Sequence, residues 1–164
     1  MKKRLISLLL AVISILSLVS CKTREGYLEL GLDIPEAYEK QSLEDTFDAA
    51  YTDGVSVIGI ARLSFEAAID DGIVETLSPE GFAKYYRQRI GKEDAALTIA
   101  GDVPYIVYEG GEEEKYTYLV AFYRSRYAYF VVTFATGSEY FSSCRAEYIE
   151  IATSAYLDYN IKRK

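Results

Sequence analysis

In the segment from Tyr127 to Thr136, Tyr129, Val131 and Thr133 fall on one side of an extended chain, and Phe130, Val132 and Phe134 fall on the other. Successive side chains of a strand point to opposite faces, so apolar or amphipathic residues on both mean that neither face can be left to water. Such a strand belongs inside a sheet that is covered twice. Two helical patterns are available as cover. Ser78-Pro79-Glu80 places an N-cap, a first-turn proline and a favourable carboxylate in order, Phe82, Tyr85, Tyr86 and Arg89 follow at helical spacing, and Gly91 stops the helix, predicted over residues 78–90. A second helix is predicted from about Ser138 to Tyr156, with Cys144, Tyr148, Ile151, Ala152 and Ala155 on one stripe. The expected fold class is α+β, an antiparallel sheet with helices on both faces.

The remaining pattern supplies more strands. Leu28, Leu30, Leu32 and Ile34 alternate with polar residues or glycine until Pro35 ends the run. Residues from Thr46 to Tyr51, the Thr52-Asp53-Gly54 turn and the β-branched run Val55 to Leu63 are expected to form a hairpin. An acidic, poorly patterned connection through Asp70, Asp71 and Gly72 leads to the first helix. Short strands are expected at Leu97 to Ile99 and Val103 to Tyr108, and a longer one at Lys115 to Tyr123, separated by turns rich in glycine and glutamate.

The amino-terminal residues indicate an address. Lys2, Lys3 and Arg4 precede an apolar run that ends in Leu18-Val19-Ser20-Cys21, and the run is too short and too poorly flanked to read as a spanning helix. The pattern resembles the signal peptide and lipobox of bacterial lipoproteins. The resemblance implies cleavage between Ser20 and Cys21 and a diacylglyceryl group on the Cys21 sulfur, which anchors the chain to the bilayer on the extracytoplasmic side. Residues 1–20 are then the signal peptide, 21–26 a short tether and 27–160 a single domain. A six-residue tether holds that domain within roughly 20 Å of the lipid surface. Lys22 and Arg24 in the tether either meet anionic head groups or stay solvated.

Removing residues 1–20 takes three of the 18 basic side chains and none of the 25 acidic ones, so 144 residues remain with 15 basic groups and a formal charge of −10. That length suits one domain with a real core, and that charge opposes binding to nucleic acid and to anionic lipid. With Cys21 committed to lipid, Cys144 has no intramolecular partner and is expected to be a small buried hydrophobe.

The order of elements also resembles a known domain family. Leu32-Asp33-Ile34-Pro35-Glu36, the hairpin through Ala50-Tyr51-Thr52-Asp53-Gly54, the helix opening Ser78-Pro79-Glu80-Gly81-Phe82, the strand Tyr118-Leu119-Val120-Ala121-Phe122-Tyr123 and the helical Ile149-Glu150-Ile151-Ala152 are similar to PsbP-like domains. The resemblance implies an α/β/α sandwich that works through protein contacts rather than catalysis. It carries no binding residue over to this chain.

The sequence contains no histidine, which removes Ser-His-Asp and Cys-His nucleophiles and histidine-ligated metals. No phosphate loop or glycosidase pair is marked by spacing, and the chain is expected to be no enzyme and to hold no cofactor or metal. The acidic loops at Asp70-Asp71 and Glu112-Glu113-Glu114 lack EF-hand spacing and read as solvated, with weak calcium binding as the other reading.

Tyrosine, with 16 copies, is the remaining recognition residue. Tyr105, Tyr108, Tyr116, Tyr118, Tyr123, Tyr127 and Tyr129 concentrate in one hairpin region, and Tyr116, Tyr118, Tyr127 and Tyr129 are the expected binding surface. The expected function is a non-catalytic accessory lipoprotein that binds another envelope protein near the membrane. The alternative is a binder of a small molecule or glycan that stacks on these tyrosines.

Overall fold

The computed structural model describes residues 30–42, 47–70, 72–73, 77–111 and 114–157. The expected lipobox, Cys21 and the expected tether lie outside the described residues. Within them, seven strands form one antiparallel sheet in the order β2-β3-β4-β8-β7-β6-β5. The strands are β2 (Glu39–Gln41), β3 (Ala49–Thr52), β4 (Ser56–Ser64), β5 (Leu97–Ala100), β6 (Val103–Gly110), β7 (Tyr116–Arg124) and β8 (Ala128–Gly137). The long strands β4, β8 and β7 lie together at the centre, which is where the doubly apolar segment must go.

Alternation along these strands sorts the core into two sets. Tyr116, Tyr118, Val120 and Phe122 of β7 join Tyr129, Val131 and Ala135 of β8 and pack with Phe82, Ala83 and Tyr86 of helix α2 (Pro79–Arg89). The intervening Leu119, Ala121 and Tyr123 join Phe130, Val132 and Phe134 and pack with Tyr148, Ile151 and Ala152 of helix α3 (Phe141–Thr153). Between them these residues leave little apolar surface to water; Phe122, Phe130 and Phe134 are fully buried.

The cap of α2 forms as the sequence predicts: Ser78 Oγ accepts from Gly81 N at 3.1 Å, Pro79 is the first helical residue, and Gly91 adopts φ +64 just past the end. The Asp53-Gly54 turn also forms, with Asp53 Oδ1 accepting from Val55 N and Ser56 N while Gly54 takes φ +90. In β4, Gly59 is required by packing, because a Cβ there would collide with the ring of Phe47.

Several boundaries differ from expectation, each for a local reason. The first strand is only β1 (Leu30–Gly31), with Leu32 and Ile34 packing on the core without joining a ladder. The hairpin strand expected from Thr46 is β3, starting at Ala49, and Thr46 itself lies outside the described residues. The polar Glu39-Lys40-Gln41 becomes an edge strand through pairing with β3. Part of the poorly patterned connection forms a short helix, α1 (Phe65–Asp70), anchored where Phe65 N donates to the Tyr127 carbonyl. Helix α3 begins at Phe141 rather than Ser138, because the chain turns from Gly137 to Tyr140, and it ends at Thr153, because Tyr156 and Leu157 form β9 (Tyr156–Leu157) instead. Cys144 is half-buried on α3, at a partly covered edge of its core rather than inside it.

Candidate functional site

The expected tyrosine surface does not assemble. Tyr118 and Tyr129 are fully buried and Tyr116 is 6% exposed, all three beneath the α2 face of the sheet, while Tyr127 alone is exposed, at 43%. Their strand positions explain this: Tyr116, Tyr118 and Tyr129 occupy the alternate sites on β7 and β8 that point towards α2, whereas Tyr127 sits in the turn before β8. Tyr129 stacks on Phe82 with centroids 4.4 Å apart and donates its hydroxyl proton to the Leu77 carbonyl at 3.1 Å. Tyr116 donates to the Glu114 carboxylate, so that acidic residue of the β6–β7 loop is engaged locally. Glu112, Glu113 and Asp71 lie outside the described residues. Among the described residues no group of three or more His, Cys, Asp or Glu is arranged to hold a metal ion.

The buried tyrosines form two polar clusters. Under α2, Tyr108 and Tyr118 stack at 5.2 Å, and the hydroxyls of Tyr86, Tyr108 and Tyr118 lack a close hydrogen-bond partner. Burial pushes the Tyr118 phenol up to about 12 and raises those of Tyr86 and Tyr108 further. Under α3, Tyr148 donates to Ser56 Oγ at 2.6 Å, and burial raises its phenol, as it raises that of neighbouring Tyr38, which also faces the Asp53 and Glu147 carboxylates. Tyr123 donates to the Ala152 carbonyl at 2.9 Å, fixing the end of α3 to the sheet. Phenols held neutral in this way supply packing and hydrogen bonds, and they are poor bases or nucleophiles near neutral pH. Asp48 is raised by burial against the opposing effect of Arg62, whose backbone N–H donates to it at 2.6 Å.

The surface offers two features that the sequence pattern did not single out. At one end of the sheet, Arg124 lies over the Phe65 ring at 5.1 Å and Arg126 over the Tyr127 ring at 5.7 Å, beside exposed Ile69 on α1. At one edge, β5 carries Ile99, 52% exposed, on a strand without a charged residue. A third feature joins the two ends of the domain. β1 pairs with β9 antiparallel, Leu30 opposite Leu157 and Gly31 opposite Tyr156, and glycine is needed at 31 because a Cβ would collide with the Tyr156 ring. Its sequence signal was the isolated Gly31 within an alternating run, next to no visible partner.

No protein-family model matches the chain, and a search of curated proteins found no match. Among solved structures, a crystal structure at 1.50 Å resolution from Bacteroides thetaiotaomicron VPI-5482 is similar with a TM-score of 0.54 and 14% identity, over 82% of this chain. The match covers 47% of that protein, so this chain spans about half its length. The solution structure of cyanobacterial PsbP (CyanoP) from Synechocystis sp. PCC 6803 aligns with a TM-score of 0.49 and 9% identity, over 84% of this chain and 97% of that one. At such identities the likeness to the Bacteroides protein is one of fold alone, and with the antiparallel sheet and its few helices it establishes an α+β fold.

Proposed function

We propose that this chain is a bacterial lipoprotein, anchored outside the cytoplasm through acylated Cys21, whose single α/β/α domain of PsbP-like kind serves as a non-catalytic module for binding an envelope protein. The observation that carries the reading is Leu18-Val19-Ser20-Cys21 at the end of an apolar run, only nine residues before the strand that opens at Leu30. Support for the three-layer arrangement comes from α2 and α3, which contribute to different cores. The glycan-stacking alternative loses its main support, since three of its four tyrosines lie in the core.

The surface available for a partner is the β5 edge and the Tyr127 corner. Edge strands are usually blunted by charge, proline or brevity. β2, on the opposite edge, carries Glu39 and Lys40, whereas β5 presents Leu97, Thr98, Ile99 and Ala100. An extended partner segment could add to such an edge through backbone hydrogen bonds, with Ile99 giving side-chain contact.

Two measurements test the proposal. Cells fed a labelled fatty acid are expected to incorporate it into the full chain, and Cys21→Ser is expected to abolish incorporation and leave the precursor uncleaved. Equal labelling of the variant would reject the anchor. A photo-crosslinking residue at position 99 or 127 of the cell-surface protein is expected to capture one discrete partner, absent when the probe is moved to exposed Lys84 on α2. Identical background at all three positions would reject the binding module.

A further inference from the structure

The register of β5 against β6 decides which backbone groups of β5 the sheet uses. The two strands are joined by the turn Gly101-Asp102, with Gly101 at φ +57 and Ala100 opposite Val103. In a hairpin with a two-residue turn the closing pair exchanges both of its hydrogen bonds, and bonded and non-bonded pairs alternate from there. Ala100 and Thr98 therefore turn their N–H and C=O groups towards β6, while Ile99 and Leu97 turn theirs outward. Pro104 stands opposite Ile99, at a pair that needs no N–H from it. β5 ends the order of the sheet, and among the described residues no strand lies beyond it. Side chains alternate too: Leu97 packs on the α2 core and Ala100 on the α3 core, so Ile99 stands on the α2 side of the rim, 52% exposed.

Both ends of this edge carry acids. Glu93 and Asp94 are exposed ahead of Leu97, and Asp102 is exposed in the turn after Ala100. Two cations of the same region are already engaged: Lys92 lies over the Tyr108 ring at 5.8 Å, and Arg87 donates to the Ala95 carbonyl. A second copy of the chain, paired antiparallel about a two-fold axis, would bring Glu93 and Asp94 of one copy against Asp102 of the other. Like charges would then meet at both ends, which opposes self-pairing and favours a segment of opposite charge. We infer that β5 accepts, as an eighth strand of the sheet, an extended partner segment with β-branched or apolar residues against Ile99 and a basic residue just beyond each end of the pairing. The inference rests on the reading of this domain as a protein-binding module, and names the chemistry of the segment that the module takes. About four paired residues form few backbone bonds, so the charges at the ends select the segment, and its affinity falls with salt.

The probe is a blocked hexapeptide, Lys-Thr-Val-Thr-Ile-Lys, titrated to millimolar concentration into the full chain in neutral detergent micelles and followed by amide NMR. The resonances of Leu97 and Ile99 are expected to move, and those of Glu39 to Gln41 on the opposite edge to stay in place. The peptide Glu-Thr-Val-Thr-Ile-Glu is expected to bind at least about tenfold more weakly, and Glu93→Lys/Asp102→Lys to reverse that order. Ile99→Pro removes an outward N–H and no bond to β6, and is expected to weaken binding at least about tenfold with little change in the thermal melt. Ile99→Lys keeps every backbone group while setting a like charge against the lysine-flanked peptide, and is expected to give a similar loss even if the proline variant unfolds. Absence of shifts at Leu97 and Ile99, equal shifts on β2, or equal binding of the two peptides would overturn the inference. So would self-association of the chain that Ile99→Lys abolishes, which would assign the edge to a second copy. In the photo-crosslinking measurement, capture at position 127 without capture at 99 would reject the edge and keep the binding module, whereas background at every position rejects the module itself.

Discussion

Replacing Phe122 with Ala is expected to lower the unfolding free energy by about 3–5 kcal/mol. Phe122 is fully buried on central strand β7 and meets the Phe82 ring edge-on at 5.8 Å and the Tyr86 ring at 5.2 Å. Phe82 in turn stacks on Tyr129, and Tyr129 meets Phe65 of α1 at 5.1 Å. One ring thus connects α2 to the sheet, and the aromatic chain continues to α1. Removing it forfeits its transfer free energy and leaves a void that the surrounding rings cannot fill without leaving their rotamers. Total stability of a domain is typically about 5–15 kcal/mol, so the loss is a large fraction of the whole. In urea titration it should appear as a fall in midpoint at constant slope. Phe122→Leu keeps most of the apolar volume and should cost clearly less. A cost for Phe122→Ala under about 1 kcal/mol would mean that α2 is held by something other than this cluster.

That cluster was largely legible in the sequence. Phe82 and Tyr86 stand one turn apart on a helix whose start is marked by Ser78-Pro79, and the strand alternation of β7 and β8 separates their two faces residue by residue. What remained hidden has physical causes. Glu39-Lys40-Gln41 has no apolar period, and only the ladder to β3 makes it a strand. Helix α1 has six residues, too few for a period to emerge, and is set by its contact with the Tyr127 carbonyl. The end of α3 depended on β9, whose partner lies at the other end of the domain, and no local pattern announces so distant a pairing.

The candidate sites divide in the same way. The proposed lipobox, Leu18-Val19-Ser20-Cys21, is a contiguous pattern and would need no fold to be recognised. The tyrosine surface failed as an expectation because a tyrosine suits both a core and an interface. Strand period assigns Tyr116, Tyr118 and Tyr129 to a common face, and α2 then covers that face. The pairing of β1 with β9 depended on register alone.

The protein is expected to unfold cooperatively when the pH rises one to two units above 10, at a temperature where it is stable near neutrality. Tyr38, Tyr86, Tyr108, Tyr118, Tyr123 and Tyr148 all have phenols raised from 10.0, with burial as the largest cause in each. Below pH 10 these groups are neutral in both states, so their contribution is fully retained. Above it, the unfolded chain loses phenolic protons that the folded chain keeps, and stability falls with pH because the unfolded state binds fewer protons. Each group contributes a slope of up to about 1.4 kcal/mol per pH unit. For Tyr118 the slope ends as pH passes about 12, where the folded phenol also ionises. Six such groups give a limiting slope on the order of 8 kcal/mol per unit, enough to consume the stability of an ordinary domain within two units. Circular dichroism against pH, with phenolate absorbance followed in parallel, should show ionisation and unfolding as one transition. Tyr86→Phe/Tyr108→Phe/Tyr118→Phe removes three of the six groups together with three hydroxyls that lack close partners. That variant should be as stable as the parent or more so at neutral pH, and its alkaline midpoint should move upwards. Phenolate formation well before loss of structure, or an unchanged midpoint in the triple variant, would mean that these rings are wetter than their burial implies.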